Sequence, residues 1–502
     1  MFGHLGTEHL ETLHLKRTAV LGISVCAAVT FSGCGFAGPW MEIGDASLRS
    51  DVELLASARA VDTVTTQLPL PWAGLMDRLN DPQSLTGQPD YIITAADRLR
   101  ERGKADTAKG WHYAFSFDAT GSPAVVRGYD ALGRQSLESQ ASVEYVGPST
   151  VVHLNLGARS VTKSDSQVFV PDGSYIAQRL GDTVVYAGYM SHWWGPGWTS
   201  ALSLSTNARP VPQVGITRIS TTPFSSPWLS WIGPWQVEFF VGVLDGPRAA
   251  RNTIYDGTRI TVSPLPGLEI AATRTDMMCG TGHPCKPLVG YFNPTNDSQK
   301  IDIVNDEATI EFKYSGQFHQ WHYAAYMQLM NEDSNLVLES GSSHLYGASF
   351  WLPMFNGIGR LTLEYTDSTP TQNLFGGYAK HGYSYNNWEY PDGMRYRGRT
   401  LGFSLDSDSR LMTIQAAFSD ARQVSYTLTY HSARISDPLN FVGNAVTAAP
   451  VNMNVFQGRV SLPFSLQDHA VHLDLEARYQ DDQPRPGHGA VATAEAALRF
   501  GL

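Results

Sequence analysis

The sequence of 502 residues is low in charge and in cysteine, and it has no long apolar run beyond its N-terminal region. Asp, Glu, Lys and Arg make up 17% of it, against about 25% in an average soluble domain. The net charge is −11 and no basic block is present, so we expect no nucleic-acid partner. After the N-terminus no apolar stretch approaches the about 20 residues of a membrane helix, which argues against a helical membrane protein.

The N-terminal region has the pattern of a secretory signal. Lys16 and Arg17 precede a nearly uncharged stretch, residues 18–31, and small residues ending at Ala37 follow it. We therefore predict a signal peptide over residues 1–37. Two alternatives stay open: the region before Lys16 is long enough for a later start codon, and Cys34 lies in a loose lipoprotein-type cleavage box.

Export changes how the four cysteines are interpreted. Removal of the signal takes Cys26 and Cys34 with it, so Cys279 and Cys285 remain, in the segment CGTGHPC. In an oxidising compartment these two residues are a disulfide candidate. A metal site that includes His283 is the rival interpretation, but it lacks the four ligands of a structural zinc site, and we expect no metal.

Residues 38–108 carry three apolar stripes with helical spacing, so a small N-terminal helical segment is predicted there. The stripes are Leu48, Val52, Leu55 and Arg59; Trp72, Leu75, Met76 and Leu79; and Ile92, Ala95, Ala96 and Leu99.

From Trp111 onward the pattern alternates with a period of two, as β-strands do. Alternation alone fits a soluble sandwich with apolar residues inside, or an outer-membrane barrel with apolar residues outside. Many segments run about nine to eleven residues, enough to cross a bilayer when tilted, whereas sandwich strands average about five or six. Clear examples are Ile310, Phe312 and Tyr314 against Glu311, Lys313 and Ser315, and Leu361, Leu363 and Tyr365 against Thr362, Glu364 and Thr366.

The connections support the barrel. Segments such as Asp406 to Arg410 are interpreted as tight polar turns, and segments such as 275–306 and 368–397 as long loops rich in Gly, Pro and aromatic residues. Short turns on one side and long loops on the other are typical of outer-membrane barrels. We therefore predict an all-β fold over residues 109–502: a transmembrane barrel of about 18 antiparallel strands with plugging loops.

Two loops combine aromatic rings with planar polar groups, a mixture that suits carbohydrate. One is SHWWGPGW at 191–198, and the other is YSYNNWEY at 383–390, followed by several arginines. Aromatic girdles and plug packing use the same residue types, so this alternative stays open. Because Pro and Gly make the first loop a rigid bend, we favour an architectural role for it. For sugar contact we predict the second cluster, which we expect to be exposed: Tyr385, Asn387, Trp388, Tyr396 and Arg397.

Common catalytic motifs are absent from the sequence, including G-x-S-x-G, H-E-x-x-H and the phosphate-binding glycine loops. Asp406 and Asp408 could in principle serve glycoside hydrolysis, but we expect them in a solvated turn. An enzyme is therefore not expected.

At three places the sequence resembles the Wzi capsule-assembly family. The most specific runs from Tyr186 through the motif residues Trp193, Trp194, Gly195, Pro196 and Gly197 to the segment NARP, which contains Asn207 and Arg209. The others are YRGRTLG at 396–402 with Asp406, Asp408 and Ser409, and SLRSD at 47–51 with Leu55, Pro69 and Leu70.

The resemblance implies an 18-stranded outer-membrane barrel of a Gram-negative cell, closed by helices at the periplasmic end and by folded loops outside. The implied function is that of a lectin that holds capsular polysaccharide at the cell surface without a cofactor. We expect a monomer in contact with outer-membrane lipid. A diffusion porin and a polysaccharide-degrading barrel enzyme remain the alternatives.

Overall fold

The computed structural model describes residues 39–81, 83–285, 304–332, 341–373, 376–467, 469–485 and 488–501. The predicted signal peptide, residues 1–37, lies outside these described residues.

The described N-terminal part contains three α-helices: α1 (Ala46–Ser57), α2 (Trp72–Leu79) and α3 (Asp90–Asp106). Asp45 caps the N-terminus of α1: its side chain accepts hydrogen bonds from the backbone N–H groups of Ser47 and Leu48, both at 3.0 Å. Proline precedes each of the other two helices, a common start because the first turn needs no N–H from it. Arg59, expected on the first stripe, lies beyond the end of α1 and instead donates to the Ser315 carbonyl at 2.6 Å. Among the described residues, no helix combines the length and the apolar character needed to cross a membrane.

The described remainder of the chain forms a closed antiparallel barrel with eighteen strands in its wall, and two short strands, Phe169–Val170 and Gly376–Ala379, pair with the same sheet. Each strand pairs with its neighbours in sequence, and β1 pairs with β18, for example Phe117 with Leu498. The strands are β1 (Gly110–Thr120), β2 (Leu137–Val146), β3 (Thr150–Arg159), β4 (Tyr175–Leu180), β5 (Thr183–Tyr189), β6 (Pro212–Arg218), β7 (Trp235–Leu244), β8 (Thr253–Leu265), β9 (Leu268–Met278), β10 (Asn305–Phe318), β11 (Trp321–Glu332), β12 (Ser342–Met354), β13 (Gly357–Asn373), β14 (Arg410–Asp420), β15 (Ser425–Ile435), β16 (Val451–Leu466), β17 (His469–Gln480) and β18 (Val491–Gly501).

The structure shows which face of the alternating strands lies outside the barrel and which lies inside. On β13, Leu361, Leu363 and Tyr365 are 38–40% exposed on the outside, whereas Thr362 and Glu364 between them are at most 4% exposed. An apolar outside and a polar inside are the reverse of a soluble sandwich, and they match a barrel that faces lipid. The predicted transmembrane barrel is therefore confirmed.

The two ends of the barrel differ. At the short-turn end most connections have two to four residues, and 219–234 is a longer one. At the long-loop end lie 121–136, 160–174, 190–211, 376–409 and 436–450. The helices enter the lumen at the short-turn end, where Ser57 and Tyr91 hydrogen-bond the two ring nitrogens of His322 at 3.0 and 2.9 Å.

The interpretation of Asp406 to Arg410 as a tight turn that joins two barrel strands is wrong. Residues 406–409 are buried at the end of the 376–409 loop, and β14 begins at Arg410. Their polar side chains are held by loop partners rather than by solvent, which local sequence does not reveal.

Candidate functional site

The segment 190–211, which we call the lumen loop, folds into the barrel. Trp193 and Trp194 pair with Leu68 and Gln67 as a short two-stranded sheet, and both indoles are fully buried. The bend closes on itself, since the Trp193 indole N–H donates to the Gly197 carbonyl at 2.9 Å. A Cβ at Gly197 would lie 2.2 Å from the Ser200 carbonyl oxygen, so only glycine fits there.

Arg49 of α1 joins the helices to the lumen loop. Its guanidinium donates to the carbonyls of Pro196 and Gly197 at 2.8 and 2.9 Å, and lies 4.2 Å from the ring centre of Trp198. It also pairs with Glu53 at 2.8 Å. Burial by itself would raise the pKa of Glu53, but Lys313 and Arg49 beside it hold that pKa below its ordinary value.

The barrel wall holds the lumen loop from the other side. The Glu364 carboxylate accepts hydrogen bonds from the Trp198 N–H at 2.8 Å and from the Thr199 hydroxyl at 2.6 Å. The Gln328 side-chain oxygen accepts from the Leu202 N–H at 2.8 Å. These contacts satisfy the backbone N–H groups of Trp198 and Leu202 and the Thr199 hydroxyl in a loop that is shielded from water.

The last part of the lumen loop meets other long loops. The Asn207 amide donates to the Thr400 carbonyl at 3.0 Å. Arg209 forms a two-pronged pair with Asp172, at 2.7 and 2.8 Å, and also reaches Asp165 at 3.2 Å. All seven residues predicted as the architectural motif are therefore buried among loops and helices: Trp193, Trp194, Gly195, Pro196, Gly197, Asn207 and Arg209.

The five predicted sugar-contact residues do not form one surface. The expectation of exposure is wrong for Tyr385 and Tyr396, which are 0% and 3% exposed and whose hydroxyls bond to other loops. Tyr385 donates to the Leu202 carbonyl at 2.7 Å, and Tyr396 donates to Asp245. Trp388 is 72% exposed, and the Asn387 oxygen next to it caps the N–H groups of residues 389 and 390.

A cavity of about 440 Å³ opens among the long loops, and six arginines line it. We call it the arginine pocket; the arginines are Arg134, Arg159, Arg209, Arg397, Arg399 and Arg485. Of the predicted site residues, Asn207, Arg209, Tyr396 and Arg397 line this pocket, whereas Tyr385, Asn387 and Trp388 do not. Sequence reasoning missed the pocket because its arginines come from five separate segments, and no local pattern shows that these segments meet.

One carboxylate is shared by three of these arginines. Asp165 pairs with Arg159, with Arg209 at 3.2 Å and with Arg397 at 3.5 Å. Burial would raise the pKa of Asp165, but the three guanidiniums hold it below its ordinary value. The pocket therefore already stabilises one carboxylate of the protein itself.

A second cavity, of about 280 Å³, follows the inner wall of β1 to β5, and Arg134 lines both cavities. The Arg134 guanidinium donates to the Thr206 carbonyl at 2.9 and 3.1 Å, which holds it across the boundary. Arg134 and the lumen loop therefore lie between this second cavity and the arginine pocket.

Cys279 and Cys285 form a disulfide, with their Cα atoms 4.4 Å apart. The enclosed His283 stacks on Tyr390 with ring centres 4.5 Å apart, and the Tyr390 hydroxyl donates to the Cys279 carbonyl at 3.1 Å. The disulfide loop thus packs against the ring-rich 383–390 segment. Within the described ranges, no group of three or more His, Cys, Asp or Glu side chains could hold a metal ion.

Asp406 and Asp408 are buried, so the expectation of a solvated turn is wrong. Asp406 pairs with Arg395 at 2.7 and 2.9 Å, and Asp408 accepts the Gly382 N–H at 2.7 Å. Burial raises the pKa of Asp408 to about 6. Both carboxylates are used to fold the loop.

A closed antiparallel barrel with an apolar outer band, whose lumen is occupied by its own helices and loop, defines an outer-membrane β-barrel of the occluded kind. The chain matches the family described as Capsule assembly protein Wzi over residues 116–481, and it belongs to that family.

One solved structure has the same fold. Wzi of Escherichia coli, described as an outer membrane protein involved in group 1 capsule assembly and a carbohydrate-binding β-barrel, has a similar structure, with a TM-score of 0.78 at 19% identity, covering 92% of this chain and 98% of that chain. A Klebsiella pneumoniae protein described as an uncharacterized 55.8 kDa protein in the cps region is 22% identical over 310 residues, or 61% of this chain. The chain matches 60% of the length of that relative. OccK5 of Pseudomonas aeruginosa gives a TM-score of only 0.43 at 6% identity, covering 78% of this chain and 98% of that chain.

Proposed function

We propose that this protein is a lectin-like protein of the outer membrane that attaches capsular polysaccharide to the cell surface. The observation that carries the proposal is the long-loop end: folded loops with an open, arginine-lined pocket, on a barrel whose lumen is occupied. Membership of the capsule-assembly family and the similarity to a carbohydrate-binding barrel support it. The role is one of binding rather than catalysis, and it needs no cofactor.

The orientation follows from the same proposal. The long loops face the medium, and the helical segment over residues 38–108 faces the periplasm after the signal peptide has been removed. The apolar band of residues 109–502 contacts outer-membrane lipid, and the protein acts as a monomer. We expect a single-chain mass for the protein in detergent, after correction for bound detergent.

Sugar contact is assigned to two places at the long-loop end. Trp388 offers an exposed ring face on which the C–H face of a sugar can pack. Arg397 offers guanidinium N–H donors inside the arginine pocket, which Asn207 and Arg209 also line. Weak contacts suffice, because a polymer presents many copies of each sugar and the copies raise the overall affinity.

The test is a deletion of the gene in its own capsulated host. We expect normal polymer synthesis with the polymer released into the medium, and restoration of cell-bound polymer by the wild-type gene. Unchanged cell-bound polymer in the deletion strain would contradict the proposal.

The two alternatives have their own measurements. A porin would conduct ions in a planar bilayer. We expect little conductance from this protein, because Arg134 and the lumen loop obstruct the barrel lumen. A polysaccharide-degrading enzyme would release new reducing ends from purified capsule, and we expect none.

A further inference from the structure

The arginine pocket carries more positive charge than its own carboxylates balance. Six arginines line it, but the acidic side chains in its lining are Asp165 and Asp406. Asp165 is committed to three of the arginines, and Asp406 is paired with Arg395, which does not line the pocket. The excess charge is therefore concentrated on the remaining lining arginines.

Of the lining arginines that Asp165 does not pair with, Arg134 and Arg399 are half-buried. Among the described residues, neither forms an ion pair; their guanidiniums bond to neutral oxygens instead. Arg134 donates to the Thr206 carbonyl, and Arg399 donates to the Arg134 carbonyl at 2.9 Å and to the Asn207 amide oxygen at 3.4 Å. Each guanidinium has five N–H donors, so donors remain for a ligand.

Burial is the main influence on the pKa values of Arg399 and Arg134. Burial, and the guanidiniums of Arg134 and Arg159, lower the pKa of Arg399 to about 10, against the opposing influence of Glu138. Burial lowers the pKa of Arg134 as well. Both side chains remain protonated at neutral pH, so a bound anion would relieve a repulsion that the folded loops otherwise bear.

We propose that the arginine pocket is a subsite for an acidic sugar of the polymer, with Arg134 and Arg399 holding the sugar carboxylate. The inference rests on the proposed function and names the chemical class of the ligand. Guanidinium groups match a carboxylate with two parallel hydrogen bonds. The same pocket already shows this kind of contact, since three of its arginines bind the Asp165 carboxylate.

The size and position of the pocket agree with such a ligand. Its volume of about 440 Å³ lies within the about 300–1,000 Å³ of typical small-molecule sites. The rim includes Val161, which is 50% exposed, and the exposed Arg485. A polymer can therefore pass over the long-loop end and place single acidic units in the pocket.

The test uses the full-length protein in detergent and measures binding of three probes: an oligogalacturonate, a neutral maltooligosaccharide of equal length, and inorganic phosphate. The variants are Arg399→Gln and Arg134→Gln. Arg251→Gln is the matched control, because Arg251 is an exposed arginine at the long-loop end that does not line the pocket. Arg399→Lys keeps the charge but loses the planar fork, and heat-modifiable migration on gels verifies that each barrel is folded.

We expect the oligogalacturonate to bind at least tenfold more tightly than the neutral chain, and the affinity to fall with added salt. Arg399→Gln and Arg134→Gln should each weaken it by about tenfold or more, Arg399→Lys should weaken it less, and Arg251→Gln should change it little. Equal binding of acidic and neutral probes, or an unchanged affinity in both glutamine variants, overturns the inference. Phosphate that binds as tightly as the oligogalacturonate overturns it in favour of a phosphate site.

The outcome is separable from that of the proposed function. Purified capsule that still binds all variants equally would refute the subsite and leave the lectin role standing. Capsule that binds neither the wild type nor any variant would refute the lectin role itself.

Discussion

Replacing Arg49 by methionine is expected to loosen the lumen loop while the barrel stays folded. Methionine keeps part of the packing on Trp198 but removes the ion pair with Glu53 and the two hydrogen bonds to the carbonyls of Pro196 and Gly197. The strand pairing of the barrel does not depend on Arg49.

The magnitude follows from these contacts. Removing one partner of a buried ion pair costs about 3–5 kcal/mol, and Lys313, at 2.9 Å from Glu53, retains part of the compensation. Two buried carbonyls also lose a charged donor, at about 1–3 kcal/mol each if nothing replaces it. Because water enters as the loop opens, we expect about 3 kcal/mol less stability for the local fold.

The assay is hydrogen exchange of the backbone amides in the lumen loop. About 3 kcal/mol corresponds to exchange faster by about two orders of magnitude at Trp194 and Leu202, whose N–H groups are hydrogen-bonded inside the lumen. Amides in the middle of β13 should be unaffected. Arg422→Met, in an exposed turn at the short-turn end, is the control. Unchanged exchange at Trp194 and Leu202 in a folded Arg49→Met protein would refute the role assigned to Arg49.

Three further predictions concern the loops. Gly197→Ala should open the lumen loop and raise the ion conductance of single barrels in a planar bilayer, since a Cβ would lie 2.2 Å from the Ser200 carbonyl; wild-type conductance would contradict this. Trp388→Ala should weaken capsule binding by about threefold to tenfold in a pull-down titration, whereas Trp228→Ala, 87% exposed at the opposite end, should not. Burial raises the pKa of Asp408 to about 6, so the folded loop retains a proton that the unfolded loop releases above about pH 4. The stability that this proton contributes is therefore lost as pH rises through 6. Asp408→Asn should flatten this change, measured as the rate of protease cleavage in 376–409 at pH 5 and pH 7; an unaltered pH dependence would refute it.

Residues 406–409, at the buried end of the 376–409 loop, show why prediction from local sequence succeeded for strands and failed for loops. A strand that faces lipid on one side and the lumen on the other carries that environment in its alternating residues, so β10 and β13 could be predicted. Asp406 has the local features of a turn, but it is buried by Arg395, which packs on it from elsewhere in the same long loop. Charge, glycine and proline mark a loop without indicating which other segments will cover it.

The sequence by itself determined the fold class, because strand length and the two-residue period are local consequences of a bilayer that solvates the outer face. It also indicated the family through the WWGPG and YRGRTLG segments. Only the tertiary structure decided which polar residues meet. Tyr385 is buried by contact with the lumen loop, and Arg399 reaches Arg134 across 265 residues of chain. Such contacts depend on how distant loops pack over the barrel, and no local period or spacing records that packing.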